Sequence, residues 1–121
     1  MNKKMATTRV GLLLALLTLL TACASRPTIY SWGQYEDLVY KMYAEPGKAP
    51  PEMEIERMEQ DFQKARAENK PVPPGFHAHL GYLYYQVGKL EAAREEFATE
   101  KAQFPESAVF MDRLSANLQK K

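Results

Sequence analysis

The chain has 121 residues, with 16 Lys and Arg against 15 Asp and Glu, and a single cysteine. That length suits one small domain, and the near-even charge excludes the basic surface that nucleic acids require. One cysteine excludes an intramolecular disulfide framework.

Residues 1–22 read as a targeting segment rather than as part of the fold. Lys3, Lys4 and Arg9 form a positive start without an acidic residue, and residues 10–20 (VGLLLALLTLL) are an apolar run. That run is shorter than the ~18 residues a membrane-spanning helix needs. Leu20-Thr21-Ala22-Cys23 resembles a bacterial lipobox, in which the cysteine sulfur is acylated and the segment before it is removed. The chemistry needs a thiol at the junction and a small residue ahead of it. A solitary cysteine in an exported chain would otherwise be a loose reactive thiol, which favours acylation of Cys23 over an ordinary secretory signal with a coincidental cysteine. Ala24 and Ser25 follow, with no Asp beside the cysteine. This pattern resembles that of outer-membrane lipoproteins, and implies a domain anchored at the periplasmic face. Removing 22 of the 121 residues leaves 99, with 13 basic and 15 acidic side chains and a balance of −2. Without a polybasic patch, attachment to the membrane falls to the acyl chains on Cys23.

Residues 23–28 form the lipidated end and a short tether, and residues 29–121 form the domain. Over 29–44, Trp32, Tyr35, Leu38, Val39 and Met42 recur at helical spacing, with Ser31 as the expected N-cap. The 45–51 segment (EPGKAPP) breaks that helix. A second helix is expected over 52–69, with Ile55, Met58, Phe62 and Ala65 as its buried stripe. Its Glu52–Glu59 carboxylates then form a solvated face. Residues 70–75 (KPVPPG) lead to the next element.

Residues 74–107 carry the clearest pattern. Leu80, Gly81 and Tyr84 lie on one helix, Gly88 marks a turn, Ala93 and Phe97 lie on a second helix, and Pro105 stops it. A helix can approach Gly81 closely because it has no side chain, and Pro105 lacks the N–H that a helix needs. The spacing resembles a tetratricopeptide repeat of about 34 positions. Two positions depart from it: His77 stands where Trp is usual and Glu100 where a small Ala is usual, which predicts looser packing at both ends of the hairpin. After Pro105, Ser107 is expected to cap a last helix over 108–119. The expected architecture is all-α with about five helices: a degenerate repeat, one good repeat and a closing helix, a short helical-hairpin solenoid.

Little here points to catalysis, a cofactor or a metal. His77 and His79, the only histidines, point to different sides of a helix. The expectation is His77 packed between helices and His79 partly exposed. Gly33, Gly47, Gly75, Gly81 and Gly88 are isolated and form no phosphate loop. Binding has more support. The inner face of such a repeat would present Ala78, Tyr82, Tyr85 and Gln86, joined by Asp37, Tyr40 and Lys41 from the first helix and by Asp112 and Ala116 from the last. Tyr40, Tyr82 and Tyr85 make either an aromatic binding strip or a cover for the core. About two and a half repeats also leave stack ends unpaired, so exposed apolar surface is expected around Trp32 and Tyr35.

Taken together, the Tyr30-x-Trp32-Gly33-x-Tyr35 start, the Pro-rich 45–51 loop and the C-terminal repeat resemble a family of short bacterial lipoproteins of unknown function. Members tend to accompany proteins similar to the curli-secretion-channel lipoprotein. The resemblance implies a non-enzymatic adaptor or accessory in an envelope secretion or assembly complex, with an envelope protein as partner. The alternative is a structural lipoprotein that self-associates through its stack ends.

Overall fold

The computed structural model describes residues 27–118 together with Gly11. Cys23 and its lipobox lie outside the described residues, as do residues 119–121. The fold is all-α, and residues 27–118 form five helices: α1 (Tyr35–Ala44), α2 (Pro51–Ala67), α3 (Phe76–Gln86), α4 (Leu90–Gln103) and α5 (Ala108–Leu118), with a 3₁₀ turn (Pro105–Ser107) before the last. No strand occurs among the described residues. In chain order, α2 packs on α3, α3 on α4, and α4 on α5.

The α3–α4 hairpin is the centre of the core. Gly88 takes φ +78°, the left-handed conformation that turns the chain from α3 into α4. A Cβ on Gly81 would lie 2.6 Å from the Phe97 ring, so the two helices meet at a separation only glycine permits. Leu80, Ala93 and Phe97 are buried beside it. Burying a phenylalanine such as Phe97 contributes about 1.5–3 kcal/mol.

The two departures from the repeat pattern tighten this hairpin instead of loosening it. Glu100 is 2% exposed, and its carboxylate accepts the backbone N–H of Gly75 at 2.6 Å and of Ala78 at 3.3 Å. These are free donors at the start of α3, which has no cap from its own N-cap residue, Gly75. A carboxylate there is also favoured by the helix dipole. His77 is buried as expected, with Nδ1 2.6 Å from Glu96 Oε2 on α4. A small residue at 100 would supply none of the Glu100 bonds.

The first helix starts later than the apolar spacing suggests. Residues 29–34 are not helical, and the Ser31 N–H donates to Pro71 O at 2.8 Å instead of Ser31 capping a helix. Gly33 sits at φ +50° against the Asp61 carboxylate, which accepts the Gln34 N–H at 2.6 Å. The start of α1 is thus closed by a side chain from α2, just as α3 is closed by one from α4. The rings of Phe104, Tyr30, Trp32, Tyr35 and Phe76 follow one another with centroids 5.6–6.4 Å apart. Trp32 and Tyr35 are therefore half-buried, while exposed apolar surface lies at Ile29 in the same segment, at Tyr40 and Tyr43 on α1 and at Val109 and Phe110 on α5.

In α2, Ile55, Met58 and Ala65 are buried and Phe62 packs against the core, as the spacing predicts. Pro51 occupies the first turn, where its missing N–H costs nothing. Before α5, the Ser107 hydroxyl donates back to Phe104 O at 2.7 Å within the 3₁₀ turn.

Candidate functional site

A groove of about 580 Å³ opens between the end of α1, the 45–51 loop, the first turns of α2 and the end of α3. The loop that interrupts the first helical pair forms one wall. Its shape follows from local bonds: the Glu45 N–H reaches Lys41 O at 2.8 Å and the Lys48 N–H reaches Glu45 O at 3.1 Å. Gly47 takes φ +82°. Lys48 and Glu45 pair at 3.3 Å on the outer edge. Met42, Met53 and Leu83 give the groove apolar walls, while Lys41, Arg57, Tyr82 and Gln86 give it polar ones.

Three of the residues picked from sequence, Lys41, Tyr82 and Gln86, line this groove together. Tyr82 also borders a smaller concavity of about 220 Å³ with Tyr85, Phe97, Leu114, Asn117 and Leu118. The Tyr82 and Tyr85 rings are 6.5 Å apart, so one aromatic pair joins the two hollows. Tyr85 is half-buried and packs against the core, which makes it both cover and lining. The other candidates are placed differently. Ala78 packs against the core and its N–H is taken by Glu100. Asp112 pairs with Lys101 at 2.6 Å on the surface, and lines neither hollow. Tyr40 is 71% exposed and also lines neither, so the three tyrosines do not form one strip. Cys23 is outside the described residues.

Two residues at this site contradict their sequence reading. Glu54 lines the groove but is only 6% exposed, and His79, expected to be partly exposed, is 8% exposed. Glu54 Oε2 and His79 Nε2 lie 3.8 Å apart, beyond hydrogen-bond reach, and each is buried with no hydrogen-bond partner. Burial pushes the Glu54 carboxyl up, against a smaller downward pull from Arg57, and pushes the His79 imidazole down. Each group is thus biased toward its neutral form. A signal for Glu54 was present in the spacing: it stands four residues before Met58, and so extends the Met58–Phe62 stripe by one turn.

Other polar groups on this side are occupied. The Tyr84 hydroxyl donates to Glu59, and burial first, then that bond, pushes Tyr84 up. Tyr35 is pushed up to about 12, chiefly by burial and next by the Glu100 charge. Among the described residues no three His, Cys, Asp or Glu side chains cluster to hold a metal, and no helix is long and apolar enough to cross a membrane.

Residues 29–114 match the family described as Domain of unknown function (DUF4810). The chain belongs to this family. The matched span starts at the segment before α1 and ends within α5, so it contains the groove, the aromatic ladder and the hairpin. Neither the curated proteins nor the solved structures hold a significant match to this DUF4810 chain.

Proposed function

We propose that this chain is a lipoprotein held at the periplasmic face of the outer membrane through acylated Cys23. There it acts without chemistry of its own, as a repeat-like helical adaptor or accessory in an envelope secretion or assembly complex. The gathering of Lys41, Tyr82 and Gln86 around one groove, with the Tyr82–Tyr85 pair leading to a second hollow, carries this proposal. A concave surface with mixed apolar, aromatic and hydrogen-bonding walls suits an extended protein segment. The lipobox-like sequence before Cys23 supports the membrane address, and the resemblance to lipoproteins that accompany secretion-channel lipoproteins supports the kind of partner.

Crosslinked pull-down from native membranes tests this. One stoichiometric envelope protein is expected with the full chain, lost with Cys23→Ser and lost with Tyr82→Ala/Tyr85→Ala, while that double variant keeps its helical circular dichroism. Unchanged capture by the double variant would exclude this face. Mass spectrometry of the membrane form should place acyl mass on Cys23.

A second possibility, self-association, is favoured by one observation. Val109 and Phe110 on the last helix are 68% and 60% exposed, side by side at the end of the stack. Concentration-dependent dimers of the full chain in detergent, abolished by Phe110→Ser, would support it.

A further inference from the structure

The helices share two ends, and the 23–28 tether joins the domain at one of them. The starts of α1, α3 and α5 lie there with the ends of α2 and α4. Ser31 bonds Pro71 just beyond α2, and the Gly75 N–H before α3 meets Glu100 in the last turns of α4. The Tyr30 ring lies 6.4 Å from that of Phe104, which leads into α5. The groove lies at the opposite end, between the end of α1, the 45–51 loop, the start of α2 and the end of α3. The tether end carries exposed apolar side chains without a polar tip: Ile29, 75% exposed, and Val109 and Phe110. On α5 this exposure is confined to the first turn. The exposed positions further along, Asp112, Arg113, Ala116 and Asn117, are polar or small.

We infer that this end of the domain rests on the bilayer that holds the Cys23 anchor, with Ile29, Val109 and Phe110 entering its headgroup zone. The groove is thereby turned away from the membrane. This orientation rests on the acylation of Cys23 proposed above, and not on the adaptor's partner. Six residue steps separate Cys23 from Ile29, and an extended chain spans at most about 20 Å over that length. The tether end therefore stays beside the lipid surface in every molecule. So short a tether keeps these side chains at high effective concentration there, and entry needs only weak intrinsic affinity. Apolar side chains gain by leaving water at a membrane interface, and need no basic patch to do so. Asp112, two residues past Phe110, is answered by Lys101 at 2.6 Å and brings no lone charge to the lipid. Glu106, exposed in the 3₁₀ turn, favours water and keeps the entry shallow. A second copy could also cover Val109 and Phe110, but the tether brings the bilayer to them whether or not another chain is near.

The test uses the isotope-labelled, acylated full chain in phosphatidylethanolamine–phosphatidylglycerol nanodiscs that carry a gadolinium-chelate lipid, read by NMR. Mass spectrometry first establishes acyl mass on Cys23; without it the inference falls together with the membrane address. With it, amide signals at 28–30 and 108–111 are expected to relax at least about fivefold faster than those of the 45–51 loop, since the 10 residues of α1 alone separate the two ends by about 15 Å. Equal relaxation at both ends, or faster relaxation around the groove, would overturn the inference. A Val109→Ser/Phe110→Ser variant should remain acylated and helical by circular dichroism. Its excess relaxation at the tether end is expected to fall by at least about half, because most of the exposed apolar area there is gone. Unchanged relaxation in that variant would mean that the tether alone sets the orientation, and would overturn the entry of these side chains. Signals at 109 and 110 that respond to the number of chains per nanodisc, and not to the gadolinium lipid, would assign the patch to a second copy and overturn it too. A membrane pull-down that yields no envelope partner would remove the adaptor while leaving this orientation untouched.

Discussion

The α3–α4 hairpin and the α1 region are built on opposite plans. In the hairpin, two helices come together at Gly81, with Ala93 and Phe97 filling the space that glycine leaves, so contact runs through backbone and side chain alike. Helix α1 meets the rest through separate side-chain devices: buried Leu38, the Tyr35 ring against Phe76 and His79, and the Asp61 carboxylate at its start. The lesson is that close helix approach concentrates stability in a few small-residue positions, whereas a looser element depends on polar closures from its neighbours. The groove lies where the loosely held element faces the tightly held one, the usual place for a surface that must admit a partner.

The largest way to break the comparison is Gly81→Val. With Phe97 2.6 Å from the added Cβ, a loss of about 3 kcal/mol or more is expected, read as a lowered thermal midpoint by circular dichroism. Glu100→Ala should cost about 2 kcal/mol, because it strips a buried carboxylate from two N–H groups at the start of α3. A loss under about 0.5 kcal/mol would mean water replaces those bonds without penalty. Asp61→Ala should cost about 1 kcal/mol and raise amide hydrogen exchange over α1 far more than over α3 and α4. Uniform acceleration would show that α1 and the hairpin unfold as one unit.

Glu54→Gln has the smallest expected effect and the opposite sign, a gain of about 1 kcal/mol at neutral pH. The Glu54 pKa is raised in the fold, so stability is lost as pH rises from the ordinary carboxylate value of 4.5 through that raised value. As pH falls to the ordinary carboxylate value of 4.5 the group is already neutral, and the advantage of Gln should fade. Urea midpoints of both forms at pH 8 and pH 4.5 would show this. An equal gain at both pH values would mean that folding does not change the ionisation of Glu54.

Much of the fold was readable from spacing. The apolar stripe of α2, the hairpin residues Leu80, Gly81, Tyr84, Ala93 and Phe97, and the breaks at 45–51 and Pro105 all follow from helical periodicity and from what Gly and Pro do to a backbone. The groove was only partly legible: Lys41, Tyr82 and Gln86 came from aligning two helices, while Ala78, Tyr40 and Asp112 dispersed. The shape of the 45–51 wall and the approach of His79 to Glu54 depend on packing between segments distant in the chain, which a one-dimensional pattern does not encode.

The sequence by itself determined the number of helices among the described residues, where they stop, the apolar stripe of α2 and of the hairpin, and the family the chain belongs to, though not where α1 begins. Only the tertiary structure decided what its polar residues do. Glu100 reads as a misfit at a small-residue position until the start of α3 is brought to it, Asp61 carries no signal of its own until the start of α1 reaches it, and Glu54 and His79 read as solvated or partly exposed until packing buries them. Apolar burial follows local periodicity because it has no direction, whereas a hydrogen bond needs its partner's position, and that position comes from elsewhere in the chain.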